Sequence, residues 1–276
     1  MSRNILLAGG CSYTDPHFNE SHIVPGLDCS FPKWPELLAE QTNLQVVNVG
    51  QSGAGNGEIS NTLSKYIIEH HEKIQLVCVL WSEWQRFSLF FNCPESSFYF
   101  MPLSLNDDPP DEQSGKDTSI NQELYDVWKR IQSRKNLTEG ENHPLSRRNY
   151  IFHHILMYKN LEILCRSYGI DYKCMQGTRA FGRGFFHPWL THHDIRVQDI
   201  DYFLFNPWDL EIDNFIGWPL LPLQSKELPN PNKPLVAAGF DLDLYIEENE
   251  MYLHELDMHP NKEGHEFIAN LFKQHL

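Results

Sequence analysis

Positive charge is scarce in this chain, and so are long apolar runs and closely paired cysteines. Lysine and arginine number 22 against 37 aspartates and glutamates, for a formal net charge of -15. Nucleic acids and anionic membrane surfaces need a basic footprint, so neither is an expected partner. No stretch approaches the roughly 18 apolar residues of a transmembrane helix. Leu7-Ala8-Gly9-Gly10-Cys11 resembles a lipoprotein cleavage site, but the apolar run before it, Ile5 to Ala8, is far too short for a signal segment, and a cytoplasmic protein is the expectation. The cysteines, at 11, 29, 78, 93, 165 and 174, form no Cys-x-x-Cys pair and read as reduced, buried thiols. A reactive role for Cys11 is disfavoured, since neighbouring side chains on a turn point apart. His187, His192, His193 and Asp194 lie close together in sequence, yet their spacing fits no defined metal motif, and neither metal nor cofactor is expected.

What the chain does have is a short motif near each end. Asn4-Ile5-Leu6-Leu7-Ala8 reads as a buried parallel strand, and Gly9-Gly10 then lets the backbone turn sharply into Cys11-Ser12-Tyr13-Thr14. A serine at such a strand-to-helix turn sits at the carboxyl end of the sheet, where open α/β folds bind ligands. The bland reading is that Ser12 only caps the following segment. Near the other end, Asp257-Met258-His259-Pro260-Asn261 precedes a helix from Glu263 onward that carries Phe267, Ile268, Leu271 and Phe272 on one face. His259 is thus expected on a loop, with Asp257 able to orient one ring nitrogen while the other takes a proton from Ser12. The competing reading is a turn that caps the helix through Asn261.

These residues resemble the SGNH (GDSL-like) hydrolase superfamily. Gly10-Cys11-Ser12 stands where the family has Gly-Asp-Ser, with Cys11 in place of Asp. Asn48-Val49-Gly50-Gln51-Ser52-Gly53 is similar to its second block, and the resemblance gives the Gly53 N–H a place in the oxyanion hole. Asp257 and His259 match the last block in an Asp-x-His spacing where Asp-x-x-His is usual; Glu255 is a spare carboxylate. The third block departs most. The family presents Gly-x-Asn-Asp, whose asparagine donates to the oxyanion, whereas this chain has Leu80-Trp81-Ser82-Glu83-Trp84-Gln85-Arg86. Loss of one such donor costs about 100- to 1,000-fold in turnover. Arg86, with several donors and a fixed charge, is the preferred substitute, and Gln85, Ser82 and Asn56 are the others.

The remaining pattern fits that architecture. Helical stripes run from Lys33 to Gln41, from Glu58 to about His71 (Ile59, Leu63, Tyr66, Ile67) and from Tyr150 to Tyr168, and strands read over Leu44 to Val49, Gln75 to Leu80 and Asp171 to Met175. Strand and helix alternate, which predicts an α/β fold: a flavodoxin-like three-layer sandwich with a central parallel sheet and long insertions, in one SGNH-like domain over 1–276. One insertion, about 106–144, is polar, with a short helix at Leu124 to Ile131. The other, about 181–234, is an aromatic cap holding Phe185, Phe186, Trp189, Phe203, Phe205, Trp208, Phe215 and Trp218; most of these aromatics read as a satellite core under long loops.

The expectation for function is a serine esterase using Ser12, His259 and Asp257 on a small ester. The family resemblance and the aromatic cap make an O-acetylated carbohydrate the leading substrate. Transfer of the acyl group to a sugar would use the same residues. The rival from another class is a non-catalytic binding or structural protein, virion-associated, since the variant first and third blocks resemble those of SGNH-like proteins encoded by phages. The oligomeric state is open.

Overall fold

The computed structural model describes residues 3–21, 23–83, 86–93, 96–104, 144–178, 214–216 and 242–276. Its centre is a five-stranded sheet. β1 (Ile5–Gly9) pairs in parallel with β2 (Gln45–Asn48) on one side and β3 (Ile74–Trp81) on the other. β6 (Asp171–Gln176) and β7 (Phe215–Ile216) continue the sheet beyond β3, again parallel, giving the order β2-β1-β3-β6-β7. This is the doubly wound, flavodoxin-like order expected from the sequence.

β1 is buried along its whole length, as its unbroken apolar run requires for a strand covered on both faces. Alternate residues serve opposite layers. Leu7, Val77 and Val79 pack with Ile59, Leu63 and Ile67 of α2 (Asn56–His70) and Tyr158 and Leu161 of α3 (Pro144–Ser167). Leu6, Ala8, Cys78 and Leu80 pack with Trp34 and Leu38 of α1 (Trp34–Thr42), with Leu242 and Ile246 of α4 (Leu242–Glu248), and with Ile268 and Phe272 of α5 (Lys262–Gln274). Pro35 opens α1, where its missing N–H costs nothing. Trp34 stacks on Phe272 with ring centroids 4.7 Å apart, which ties the first helix to the last.

Several elements differ from the sequence reading. Phe215 belongs to the sheet, buried against Tyr158, and not to an aromatic cap; a two-residue strand is too short to show a period. After β3 the chain forms an antiparallel hairpin, β4 (Arg86–Cys93) and β5 (Ser96–Ser104). His259 lies on a strand, β9 (Asp257–Pro260), paired antiparallel with β8 (Tyr252–His254), and not on a plain loop. Ser12 is followed by a long connection over residues 10–33 and not directly by a helix. The polar insertion and the rest of the aromatic cap lie outside the described residues, as do His187, His192, His193 and Asp194. Cys11, Cys29, Cys78, Cys165 and Cys174 are buried and free of disulfides.

Candidate active site

The chain runs from β1 to β2 on one side, then returns to β3 on the other, so the strand order reverses between β1 and β3. Ligands of open α/β sheets bind at the carboxyl ends flanking such a switch. Ser12 stands there, three residues past the end of β1. The turn that presents it is closed by Thr14 and Asp15 N–H groups donating to the Cys11 carbonyl at 2.8 and 3.1 Å. It also needs glycine at position 10, because a Cβ there would meet the Leu80 carbonyl oxygen at 2.9 Å.

Ser12 Oγ is 2.8 Å from His259 Nε2, and His259 Nδ1 is hydrogen-bonded to Asp257 Oδ1. Residues from the two ends of the chain thus form one continuous relay. The unusual Asp-x-His spacing has a simple cause: on a β-strand, side chains two apart share a face. The Asp257 carboxylate also accepts from the His259 backbone N–H at 3.2 Å, and its second oxygen accepts from Ser21 Oγ. Burial alone would raise its pKa, but the hydrogen bonds from Ser21 and His259 outweigh this and hold the carboxyl below the ordinary carboxylate range. It therefore stays ionised beside the imidazole at neutral pH.

The imidazole is gripped as well as bonded. Phe18 stacks on it at 4.6 Å, and Tyr13 meets it edge-on at 5.5 Å. Tyr13 in turn donates its one proton to Asp243 at 2.8 Å, with the Met258 carbonyl 3.3 Å away, linking the Ser12 turn to α4 and β9. Behind Phe18 lies Lys33, almost wholly buried, its Nζ 2.5 Å from the Cys29 carbonyl and 4.2 Å from the Phe31 ring centroid. Burial pulls its pKa down.

The loop that holds Ser52 and Gly53 is fastened to the Ser12 turn by Asp15. Its carboxylate accepts from the Ser52 N–H at 2.8 Å and Ser52 Oγ at 2.6 Å. Asn48 adds a second clasp, donating to the Thr14 carbonyl at 2.7 Å and accepting from the Gly50 N–H at 3.0 Å. Gly53 takes φ +80°, a left-handed backbone that suits glycine. Among the described residues the backbone N–H groups of Ser12 and Gly53 donate to no acceptor, so both are available to an anion.

The segment that follows β3 is built differently. Asn56 is wholly buried, its amide donating to the Ser82 carbonyl at 2.9 Å and accepting from the Ser82 N–H at 2.7 Å. Gln176 donates to the same carbonyl at 2.8 Å and accepts from Tyr158 Oη at 3.1 Å. The sequence offered Asn56 as an oxyanion donor; in the fold its amide oxygen and one donation of its amide nitrogen go to the Ser82 backbone at the β3 terminus. Among the described residues, the buried Ser82 Oγ has no hydrogen-bond partner. Arg86 opens β4, and its side chain lies outside the described residues, as does Gln85.

Sequence reasoning missed Ser21, Asp15, Phe18 and Tyr13. Tyr13 sits beside Ser12 and Asp15 close after it, yet no motif marks a role for either; Ser21 meets its partner 236 positions away.

No protein-family model matches the sequence, and no curated protein does. Among solved structures, the chain is similar to a candidate lipolytic protein of the G-D-S-L family from Desulfitobacterium hafniense DCB-2, at 12% identity and a TM-score of 0.40, over 99% of this chain and 100% of the other. It is also similar to an alpha/beta hydrolase enzyme from the metagenome of Lake Arreo, Spain, at 13% identity and a TM-score of 0.37, over 100% of this chain and 96% of the other. Among the described residues, no helix is long and apolar enough to cross a membrane, and no group of His, Cys, Asp and Glu has the makings of a metal site.

Proposed function

We propose that the chain is a serine hydrolase of small esters, with Ser12 as nucleophile, His259 as general base and acid, and Asp257 as the group that orients the imidazole. The observation that carries this reading is the unbroken hydrogen-bonded chain Ser12–His259–Asp257 at the sheet's switch point. Ser12 Oγ attacks the ester carbonyl as its proton passes to His259 Nε2. The imidazolium, stabilised by Asp257, then returns the proton to the departing alcohol, and water repeats the cycle on the acyl-enzyme. The Ser12 and Gly53 N–H groups meet the oxyanion, with Arg86 the preferred third donor. An O-acetylated carbohydrate is the leading substrate class, and a sugar hydroxyl in place of water would make the same residues an acyltransferase.

A second reading, a binding or structural protein on the same scaffold, is favoured by the segment after β3, which lacks the family's asparagine and where Asn56 is bonded to the Ser82 backbone. Hydrolysis of a generic acetyl ester and of acetylated sugars, by the native chain and by Ser12→Ala, separates the two. Activity lost in the variant supports the hydrolase; inactivity of both, or activity indifferent to Ser12, supports the scaffold.

A further inference from the structure

We propose that Ser21 is a positioning residue of the relay, fixing Asp257 and thereby setting the basicity of His259; this rests on the hydrolase reading above. A serine hydroxyl has one proton and two lone pairs. The Ile23 and Val24 N–H groups donate to Ser21 Oγ at 3.1 and 2.8 Å, filling both lone pairs, so the proton has one destination, Asp257 Oδ2. The other carboxylate oxygen serves the His259 ring and backbone. Both oxygens of a wholly buried carboxylate are therefore committed, and its plane cannot turn away from the imidazole.

Ser21 is itself held. Its N–H donates to the Leu27 carbonyl at 3.1 Å, the Cys29 N–H to the Asn19 carbonyl at 2.9 Å, and Glu20 and Asp28 form an antiparallel bridge that closes the loop. One connection between β1 and α1 thus touches all three members: it carries Ser12, stacks Phe18 on His259 and bonds Ser21 to Asp257.

Without the Ser21 proton, more negative charge remains on Asp257 and the imidazolium is favoured, so the His259 pKa rises. The test uses the full chain with labelled histidine, following the His259 titration by NMR and the rate at which a fluorophosphonate labels Ser12. Ser21→Ala is expected to raise the His259 pKa by about half to one unit and to slow labelling at pH 7 by about 2- to 10-fold, with recovery at higher pH. Ser21→Thr restores the hydroxyl and most of the loss. In an Asp257→Asn background, Ser21→Ala adds nothing, because the residue acts through the carboxylate. An unchanged titration and labelling rate in Ser21→Ala, or an equal loss in the Asp257→Asn background, overturns the proposal. Failure of the hydrolase reading looks different: the native Ser12 takes no label and no ester is cleaved, while the His259 titration still decides the role of Ser21.

Discussion

The carboxyl ends of β1 and β3 lie side by side in the sheet, yet they use their polar groups in opposite ways. Past β1, the polar groups of Ser12, His259, Asp257 and Ser21 point to one another in series, and the series ends on an exchangeable proton. Past β3, the amides of Asn56 and Gln176 close on backbone groups at the strand's end, with Tyr158 donating to Gln176. One edge of one sheet thus holds a relay and a clamp. A relay is measured by rate and a clamp by stability, so substitutions at the two ends are expected to separate the two observables.

The sharpest separation comes at the relay. Ser12→Ala or Asp257→Asn is expected to lower kcat on an acetyl ester by about 10,000-fold or more, while the thermal midpoint of Ser12→Ala stays within a few degrees of the native chain. At the clamp the order reverses. Asn56→Ala leaves the buried Ser82 N–H without an acceptor and is expected to cost about 2–3 kcal/mol in urea unfolding, with turnover by the folded fraction changed by less than tenfold. A turnover loss of 100-fold or more would instead make Asn56 an oxyanion donor.

Asp15 blurs the division usefully, since it clamps the Ser52 loop to the turn that carries Ser12, and on the proposed mechanism that loop supplies the Gly53 N–H. Asp15→Ala is expected to lower kcat by roughly 10- to 100-fold, with KM less affected, alongside a stability loss of about 1–2 kcal/mol. Steady-state kinetics together with urea midpoints test both. The smallest effect lies away from both ends. His265 is buried where α5 meets α1, its Nδ1 accepting the Trp34 N–H at 3.2 Å, and burial brings its pKa from 6.5 to about 3. The unfolded chain therefore binds a proton below about pH 6.5 that the folded chain refuses until about pH 3, so stability falls as pH drops through that window. Between pH 7 and pH 5 this is worth about 1–2 kcal/mol, and His265→Gln should flatten that part of the profile in urea titrations.

Much of the scaffold was legible because its signals are local. Ile5 to Ala8 is continuously apolar, Ile59, Leu63 and Ile67 recur at helical spacing, and the pair Asp257 and His259 stands before a proline. The candidate site was legible to the extent that side chains sat in such motifs. Ser21 and Asp15 did not, because their roles depend on partners that only the fold supplies. The hairpin over 86–104 was missed although Phe87, Leu89, Phe91, Tyr99 and Phe100 have strand-forming character, and Phe215 was assigned by composition where only its pairing with Cys174 reveals a strand.

The relay spans 247 positions, from the first strand to the residue pair before the last helix. During synthesis Ser12 emerges early and remains without its base until β9 has left the ribosome and α5 has docked on α1. On the hydrolase reading, activity therefore requires both of these distant segments. A translation product broken off anywhere before His259 holds Ser12 without the imidazole, and on that reading a fluorophosphonate labels only products that extend past His259.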